Sequence, residues 1–350
     1  MRLPKIACLG LTLIGLASSV EANGRNPGSL LLFPEFDNRN SHLTLLTVTN
    51  TNTGVNPDGS NGTIRVEFIY IGRYGPDNTS LPCLETNRTE TLTANDTLSL
   101  LTSYHNPNHE QGYVYAFAKS VQTGQAVAFN YLIGNVLTLE SLDQLEYSMN
   151  PVAFRGIFSS NDGDNVRDLD GNEYEPVTDE VYIPRFIGSS AQPGAAAGGL
   201  YDSELLLIGL SGGTRFETIV NFWVYNDNEE AYSAQYQFRC WDRVKLRDIN
   251  GIFTQDFLAN FTNNAPNEII GANSVESGWI RVYGGNAFSS AENIDDPAIY
   301  AVLVERIGGY GAADLPFEST RTQDNGDLLP TTIFGDPIVD GQPGTSSDDQ

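Results

Sequence analysis

The sequence predicts an all-β protein made of two tandem antiparallel β-sandwich domains that are related by duplication. Apolar and polar side chains alternate with period two over many short segments, as in strands with one face in the core and one in water. The segment from Tyr232 to Trp241 is an example, with Tyr236 and Phe238 on one face and Gln237 on the other. Segments rich in Asn, Gly, Pro and Asp separate these runs, as connections between strands require.

Residues 1–22 are predicted to form a secretory signal peptide. Arg2 and Lys5 supply a short basic head, and an apolar run follows it. The run is shorter than the about 20 residues that span a bilayer. Ala22 offers the small side chain that a signal peptidase needs before its cleavage site. We therefore expect an exported mature chain that begins near Asn23 and is either released or held at the cell surface without a membrane span.

The net charge of −25 arises from a shortage of basic residues. Only Lys5, Lys119 and Lys245 are lysines, and the first lies in the predicted signal peptide. Such a surface repels phosphate backbones and anionic membranes, which argues against nucleic acid as a partner. An acidic surface suits solubility and attracts divalent cations.

The domain boundaries follow from shifts in composition. We expect a first sandwich domain over 28–140, an acidic Gly- and Asp-rich linker or long loop over 141–200, a second sandwich domain over 201–310 and an acidic, flexible tail over 311–350. Ser141 to Met149 is the one segment whose pattern favours a helix.

Three pairs of segments repeat in the same order in the two domains, and this repetition predicts duplication. The pairs are Leu46–Asn52 with Phe222–Asn228, Glu110–Phe117 with Glu276–Tyr283, and Ala126–Gly134 with Ala301–Gly308. Each copy then holds about seven strands, a number typical of an immunoglobulin-like or fibronectin-III-like sandwich. A jelly-roll-like sandwich is the alternative fold.

Four segments of the first domain resemble sandwich modules of secreted bacterial proteins. They are Thr47–Asn50, Val66–Phe68, Thr91–Leu98 and Gly112–Val114. These motifs encode strands and turns, so the resemblance implies an immunoglobulin- or fibronectin-III-like fold and export, and it implies no particular activity.

Two cysteines, Cys83 and Cys240, follow the predicted signal peptide. A disulfide between them is permitted outside the cell, and two separate buried thiols are the alternative. Their positions do not match the paired spacing of a zinc site.

A calcium site is one interpretation of the acidic segment 159–180. Asp162, Asp164, Asp168 and Asp170 are spaced as in calcium-binding aspartate repeats, and calcium takes six to eight oxygen ligands. Ser160 replaces the first aspartate of that pattern, and a solvated linker is the alternative. Ca²⁺ is the one cofactor that the sequence suggests.

Two further motifs resemble a catalytic site and a zinc site, but the sequence favours structural roles for both. Ser211 lies in a G-x-S-x-G pattern, but the nucleophile elbow needs a helix after the serine, whereas the following segment predicts a strand. His105, His109 and Glu110 could hold zinc only from a loop, because Pro107 prevents a shared helix face.

Aromatic residues of the second half offer a carbohydrate-binding interpretation. Trp241 and Trp279, with Trp223, Tyr225 and Tyr283, could stack on sugar rings if they lie on an exposed sheet face, and they could equally fill the core.

We expect a secreted, non-enzymatic structural or adhesion-type protein that binds an extracellular protein or glycan. A carbohydrate-binding or glycan-processing protein and a calcium-dependent assembly module are the alternatives.

Overall fold

The computed structural model describes most of the chain, and several sequence predictions fall outside the described residues. The predicted signal peptide, Asp162, Asp164 and His109 are among these predictions. The described residues are 25–39, 42–56, 59–73, 83–106, 110–140, 145–157, 168–196, 198–212, 216–260 and 275–326.

Nine strands and one short helix form the described part of the first half. They are β1 (Leu30–Asp37), β2 (His42–Asn50), β3 (Ile64–Arg73), β4 (Leu84–Leu92), β5 (Thr97–Leu101), α1 (Thr102–His105), β6 (Gln111–Lys119), β7 (Leu132–Glu140), β8 (Leu145–Met149) and β9 (Val152–Phe154).

The second half has ten strands among its described residues, together with two short helices and a 3-10 turn. They are β10 (Glu180–Ile187), β11 (Glu204–Gly209), β12 (Glu217–Asn226), β13 (Ala231–Phe238), β14 (Trp241–Lys245), α2 (Leu246–Ile249), the turn (Gly251–Phe253), α3 (Gln255–Asn260), β15 (Ser277–Phe288), β16 (Asn293–Asp295), β17 (Ile299–Ile307), β18 (Tyr310–Asp314) and β19 (Phe317–Glu318).

The strands form four antiparallel sheets. Sheet 1 has the order β5-β2-β7-β8 and sheet 2 the order β4-β3-β6-β1-β9, while sheet 3 has β14-β11-β17-β18 and sheet 4 has β13-β12-β15-β10-β19, with β16 beside β15. The prediction of an all-β antiparallel fold is therefore confirmed. Among the described residues, no helix is long and apolar enough to cross a membrane.

The strand order is the same in both halves. Sheet 3 repeats the order of sheet 1, and sheet 4 repeats that of sheet 2, when strands are matched by their place along the chain. In the immunoglobulin order the first strand lies beside the second. Here β2 lies beside β5 and β3 beside β6, as in that order, but β1 lies beside β6 and β9.

A proline causes the same irregularity in β1 and β10. The ladder from β1 to β6 shifts register between Phe33 and Phe36, and the ladder from β10 to β15 shifts between Ile183 and Phe186. Each interval contains a proline, which has no backbone N–H to donate and is therefore confined within sheets to edges and bulges.

Glycines opposite these bulges allow close approach of the backbone. A Cβ atom on Gly112 would lie 2.0 Å from the carbonyl oxygen of Ile71, and one on Gly278 would lie 2.1 Å from that of Tyr225. These distances are below any van der Waals contact, so only glycine fits at either position.

One continuous core joins the two halves. Strands β1 and β6 of sheet 2 lie against β11 and β14 of sheet 3, and we call this contact the junction. Every residue of β1 and β6 is buried, because one face packs inside the first half and the other packs against the second half. The buried apolar residues of both halves belong to a single cluster.

Three boundaries differ from the sequence predictions. The segment expected to be helical contains strand β8, in which Leu145, Tyr147 and Met149 are buried and the residues between them are exposed. The second half begins with β10 rather than at residue 201. The predicted tail begins as β18 and β19, and its Thr322 forms a bridge to Thr178.

Of the three predicted repeat pairs, one lies on corresponding strands in the same register and two do not. Glu110–Phe117 and Glu276–Tyr283 lie on the corresponding strands β6 and β15 in the same register, since Gly112 faces Phe36 as Gly278 faces Phe186. Leu46–Asn52 and Phe222–Asn228 lie on β2 and β12, which belong to non-corresponding sheets. The third pair joins the beginning of β7 to the end of β17. These last two alignments are wrong.

Candidate functional site

Sheet 4 carries an aromatic cluster on its outward surface. Strands β12 and β15 alternate strictly, so that buried residues such as Val224 and Ile280 point into the core and their neighbours point outward. We call the outward cluster the aromatic face, and it consists of Tyr182, Trp223, Tyr225, Trp279, Arg281 and Tyr283. Four of the five aromatic residues that the sequence singled out therefore lie together.

The side chains of the aromatic face hold one another in place. Tyr225 and Trp279 are directly opposite on β12 and β15, and their rings stack at a centroid distance of 4.4 Å and an interplanar angle of 9°. Trp223 donates from Nε1 to the Tyr283 hydroxyl at 3.2 Å. The Arg281 guanidinium lies 5.5 Å from the centroid of the Tyr283 ring. Rings ordered in this way lose little side-chain entropy when a partner binds.

Amide side chains border the aromatic face. Gln235 donates from Nε2 to Oδ1 of Asn221 at 2.7 Å, and both lie in the outward row beside Trp223. Trp223 and Trp279 remain 38% and 37% exposed, so their ring surfaces are accessible. This combination can stack on flat apolar surfaces and donate hydrogen bonds to hydroxyl groups at the border.

On sheet 1, the outward surface carries a second exposed cluster of residues, which we call the leucine face. Leu43 lies opposite Leu139, and Leu45 lies between Leu137 and Leu101. The side chains of this surface on β2, β5 and β7 are not ionisable, and the exposed Glu146 of the edge strand β8 lies opposite Leu139 at its border. The leucine face consists of Leu43, Leu45, Thr47, Thr49, Thr97, Ser99, Leu101, Ile133, Asn135, Leu137 and Leu139.

A cluster of charges is buried at the junction. Arg243 on β14 reaches across to the first half, where Nη1 lies 2.7 Å from Oε1 of Glu35 and Nη2 binds Glu140. Glu140 also accepts from Arg306 at 2.7 Å. Tyr147 donates its hydroxyl to the other carboxylate oxygen of Glu35. A buried charge is tolerated when it is paired and hydrogen-bonded in this way.

A cavity of about 270 Å³ lies beside this cluster. Burial raises the pKa of Glu35, against the opposing effects of Arg243 and Tyr147. Burial would also raise the pKa of Asp37, but hydrogen bonds from His42 and Arg39 outweigh it and hold that pKa well below its usual range. The residues around the cavity are Arg39, His42, Gln111, Glu140, Glu204, Arg243, Lys245 and Arg306. Their ion pairs join β1 and β7 of the first half to β14 and β17 of the second, so the network is suited to holding the halves together.

Cys83 and Cys240 form a disulfide that links the two halves, which decides between the two alternatives left by the sequence. Trp241, the next residue, is 1% exposed and donates from Nε1 to the carbonyl oxygen of Pro34 at 2.9 Å. Arg73 of β3 donates to the carbonyl oxygen of Trp241 at 3.0 Å. Trp241 thus belongs to the junction and offers no ring surface to a sugar, unlike Trp279.

The described part of the acidic segment forms turns. Asp170 accepts from the backbone and side-chain amides of Asn172 at 2.8 and 2.6 Å, and the backbone N–H of Asp168 donates to Glu173 at 2.9 Å. Among the described residues no group of three or more histidine, cysteine or acidic side chains could hold a metal. Calcium binding at Asp162, Asp164, Asp168 and Asp170 stays a prediction.

Ser211 and His105 have structural partners. The Ser211 hydroxyl donates to the carbonyl oxygen of Asn325 at 2.6 Å and accepts from the backbone of Ala298 at 2.8 Å. Strand β12 follows it in place of the helix of a nucleophile elbow, and the connection passes from sheet 3 to sheet 4 rather than forming a hairpin. His105 on α1 lies 2.8 Å through Nδ1 from the hydroxyl of Tyr70.

No family model and no curated protein matches this chain. Among solved structures, a chain of the Cowpea mosaic virus top component, described as naturally occurring empty particles, is similar at 8% identity over 92% of this chain and 100% of that chain, with a TM-score of 0.18. A likeness at this TM-score carries no argument about fold or function.

Proposed function

We propose that the protein is an exported, non-enzymatic structural or adhesion-type protein that acts through the outward faces of sheets 1 and 4. The observation that carries this proposal is the pair of surfaces with few charged side chains, the leucine face and the aromatic face, on a chain of net charge −25. Aromatic residues and arginine are enriched in interfaces, and contiguous exposed apolar patches mark interaction sites.

Export of the chain and formation of the disulfide between Cys83 and Cys240 are tested together in cells that make the full chain. We expect the protein outside the cytoplasm, with an N-terminus near Asn23 by N-terminal sequencing and with Cys83 joined to Cys240 by non-reducing mass spectrometry. A disulfide between halves suits an oxidising compartment. An unprocessed cytoplasmic chain with free thiols at Cys83 and Cys240 would contradict the proposal.

Carbohydrate binding is the second candidate, and the stacked pair of Tyr225 and Trp279 supports it. An exposed stacked ring can cover the apolar face of a sugar, and the bordering amides Asn221 and Gln235 can bond its hydroxyls. Affinity electrophoresis in gels that contain soluble polysaccharides tests this function. Retardation that Trp279→Ala abolishes and the control Tyr104→Ala preserves supports it, since Tyr104 is 89% exposed on α1. Unretarded migration in a broad polysaccharide panel counts against it.

We also propose that the two halves are copies of one ancestral sandwich. The common strand order, the proline bulges of β1 and β10 and the glycines Gly112 and Gly278 support duplication. The neighbours β2–β5 and β3–β6 support a distant relation to immunoglobulin-like modules, with β1 placed differently. A structure-based alignment of the halves tests this, because copies should superpose strand by strand in the register of these landmarks.

A further inference from the structure

We propose that copies of this chain associate head to tail, with the leucine face of one copy packed against the aromatic face of the next. This inference names the partner of the two surfaces on which the proposed structural function rests. It follows from what the chain already does internally, because the junction is a contact between the sheets that correspond to these two by strand order.

The junction joins sheet 2 of the first half to sheet 3 of the second. By strand order, sheet 4 is the counterpart of sheet 2, and sheet 1 is the counterpart of sheet 3. Within the part of the chain that the structure describes, the outward surface of sheet 2 is covered by sheet 3, and no sheet covers the corresponding surface of sheet 4. A sheet 1 from a second copy is the counterpart of the sheet that would cover it.

The correspondence extends to single positions of β6 and β15. Since Gly112 corresponds to Gly278, Tyr113 corresponds to Trp279 and Phe117 corresponds to Tyr283. Tyr113 and Phe117 are buried, at 3% and 6% exposure, and Trp279 is 37% exposed. Bulky aromatic side chains thus occupy the same places on both sheets, and among the described residues a second sheet covers only those of sheet 2.

Electrostatics favours contact between these surfaces over contact elsewhere. Two chains of net charge −25 repel each other, so association needs surfaces without unpaired acids. The leucine face has no ionisable side chain on β2, β5 and β7, and Glu146 of β8 lies at its border. On sheet 4, Arg281 is paired with Glu180. Of the described surfaces, these two bring apolar area together with little cost in charge desolvation.

The geometry of the contact determines the form of the assembly. A leucine face meeting an aromatic face is a heterologous contact, which leaves one surface of each kind open at the ends. Further copies can add at either end, so linear oligomers are expected. Packing of two leucine faces or of two aromatic faces would instead stop at a dimer.

Sedimentation velocity of the oxidised, full-length mature chain tests the proposal. We expect the weight-average mass of the wild type to rise with concentration beyond that of a dimer. Leu43→Glu places a charge on the leucine face and Trp279→Glu places one on the aromatic face. Each variant alone should stay monomeric, while an equimolar mixture of the two should form a dimer, because each supplies the surface that the other lacks.

Matched controls separate the faces from general effects of charge. Val55→Glu and Tyr104→Glu alter side chains that are 68% and 89% exposed and lie on neither face, and they should associate like the wild type. Far-UV circular dichroism and melting temperature check that each variant folds. Leu101→Glu and Trp223→Glu replace the first pair if either of those variants is unfolded.

Other outcomes overturn the proposal. A wild type that stays monomeric at high concentration rules out self-association, and if Trp279→Glu then abolishes polysaccharide binding, the aromatic face binds glycans instead. A mixture that does not dimerise excludes contact between the leucine face and the aromatic face. One variant that still dimerises alone indicates contact between like faces. Export and oxidation of the chain are measured separately, so failure here leaves the proposed structural function open to its own test.

Discussion

At the residue scale, the contact between the halves depends on charges placed within apolar strands. Glu35 follows a run of leucines and phenylalanine in β1, and Arg243 lies two residues after the buried Trp241. A lone charge in such a run is the only sequence signal for the buried cluster. This signal is not sufficient to predict the ion pair between Glu35 and Arg243, because the local sequence does not indicate that two residues 208 positions apart are in contact.

Removing Arg243 should be strongly destabilising. Arg243→Met keeps much of the side-chain volume but leaves Glu35 and Glu140 buried without their main counter-charge, and breaking a buried pair costs about 3–5 kcal/mol of folding free energy. Arg185→Met is the matched control, since Arg185 pairs with Glu305 from a side chain that is 63% exposed. Urea unfolding measures both, and a loss at Arg243 no larger than that at Arg185 would contradict the assigned role.

Glu85 predicts a pH dependence of stability. Burial, aided by nearby Glu67 and opposed by a hydrogen bond from Asn87, raises the pKa of Glu85 to about 7, above the 4.5 that is usual for a glutamate. The folded state therefore holds this proton more tightly than the unfolded state, so its contribution to stability is complete below the unfolded pKa and is lost as pH rises towards 7. Glu85→Gln should raise the melting temperature at pH above this range relative to wild type and change it little at pH below 4.5. Equal shifts at both pH values would refute the assignment.

At the element scale, the sequence identified the strands that have one buried face and one solvent-exposed face. In β13 the alternation of Gln235 and Tyr236 is visible directly. The strands β1 and β6 are buried on both faces, so they show no alternation, and the five residues of β8 were too few to separate a strand from a helix. Neighbours within a sheet are set by long-range pairing, which explains why β2 was wrongly matched with β12.

The same reasoning applies to the candidate site. The sequence singled out Trp241 and Trp279 together, because both occur in aromatic, strand-like segments. Their exposure to solvent differs because they lie in different sheets. β14 faces the first half across the junction, and β15 lies in the outermost sheet. Composition therefore indicated which residues were candidates, and only the stacking of sheets indicated which of them stays accessible.

The disulfide should stabilise the contact between elements without being required for the fold. It joins the residue before β4 to the turn between β13 and β14, where Trp241 and Arg73 already hold the halves together. Replacing both Cys83 and Cys240 by serine should lower the free energy of unfolding by about 2–4 kcal/mol. The circular dichroism spectrum should be unchanged. Wild type in reductant should show the same loss, and a variant that no longer folds would show that the cross-link is essential.

At the scale of the whole molecule, we expect the two halves to unfold as one cooperative unit, because their cores are continuous. The outward surface of sheet 2 contains Ile69, Tyr113, Tyr115 and Phe117, all of which are buried against the rest of the molecule. Exposing these side chains to water would lower the free energy of unfolding by about 25 cal/mol for each Å² of apolar surface. A first half without the second would therefore be too poorly covered to remain folded.

This cooperativity can be followed with probes that report on different parts of the chain. All three tryptophans lie in the second half, so tryptophan fluorescence reports its unfolding, while far-UV circular dichroism reports the strands of both halves. Because the halves share one core and a buried charge cluster, we expect the two transitions to coincide in urea and in heat, as a two-state process requires. Residues 25–157 produced alone should give no cooperative transition. Two separated transitions, or a stable first half, would show that the junction is a weak contact between independent domains.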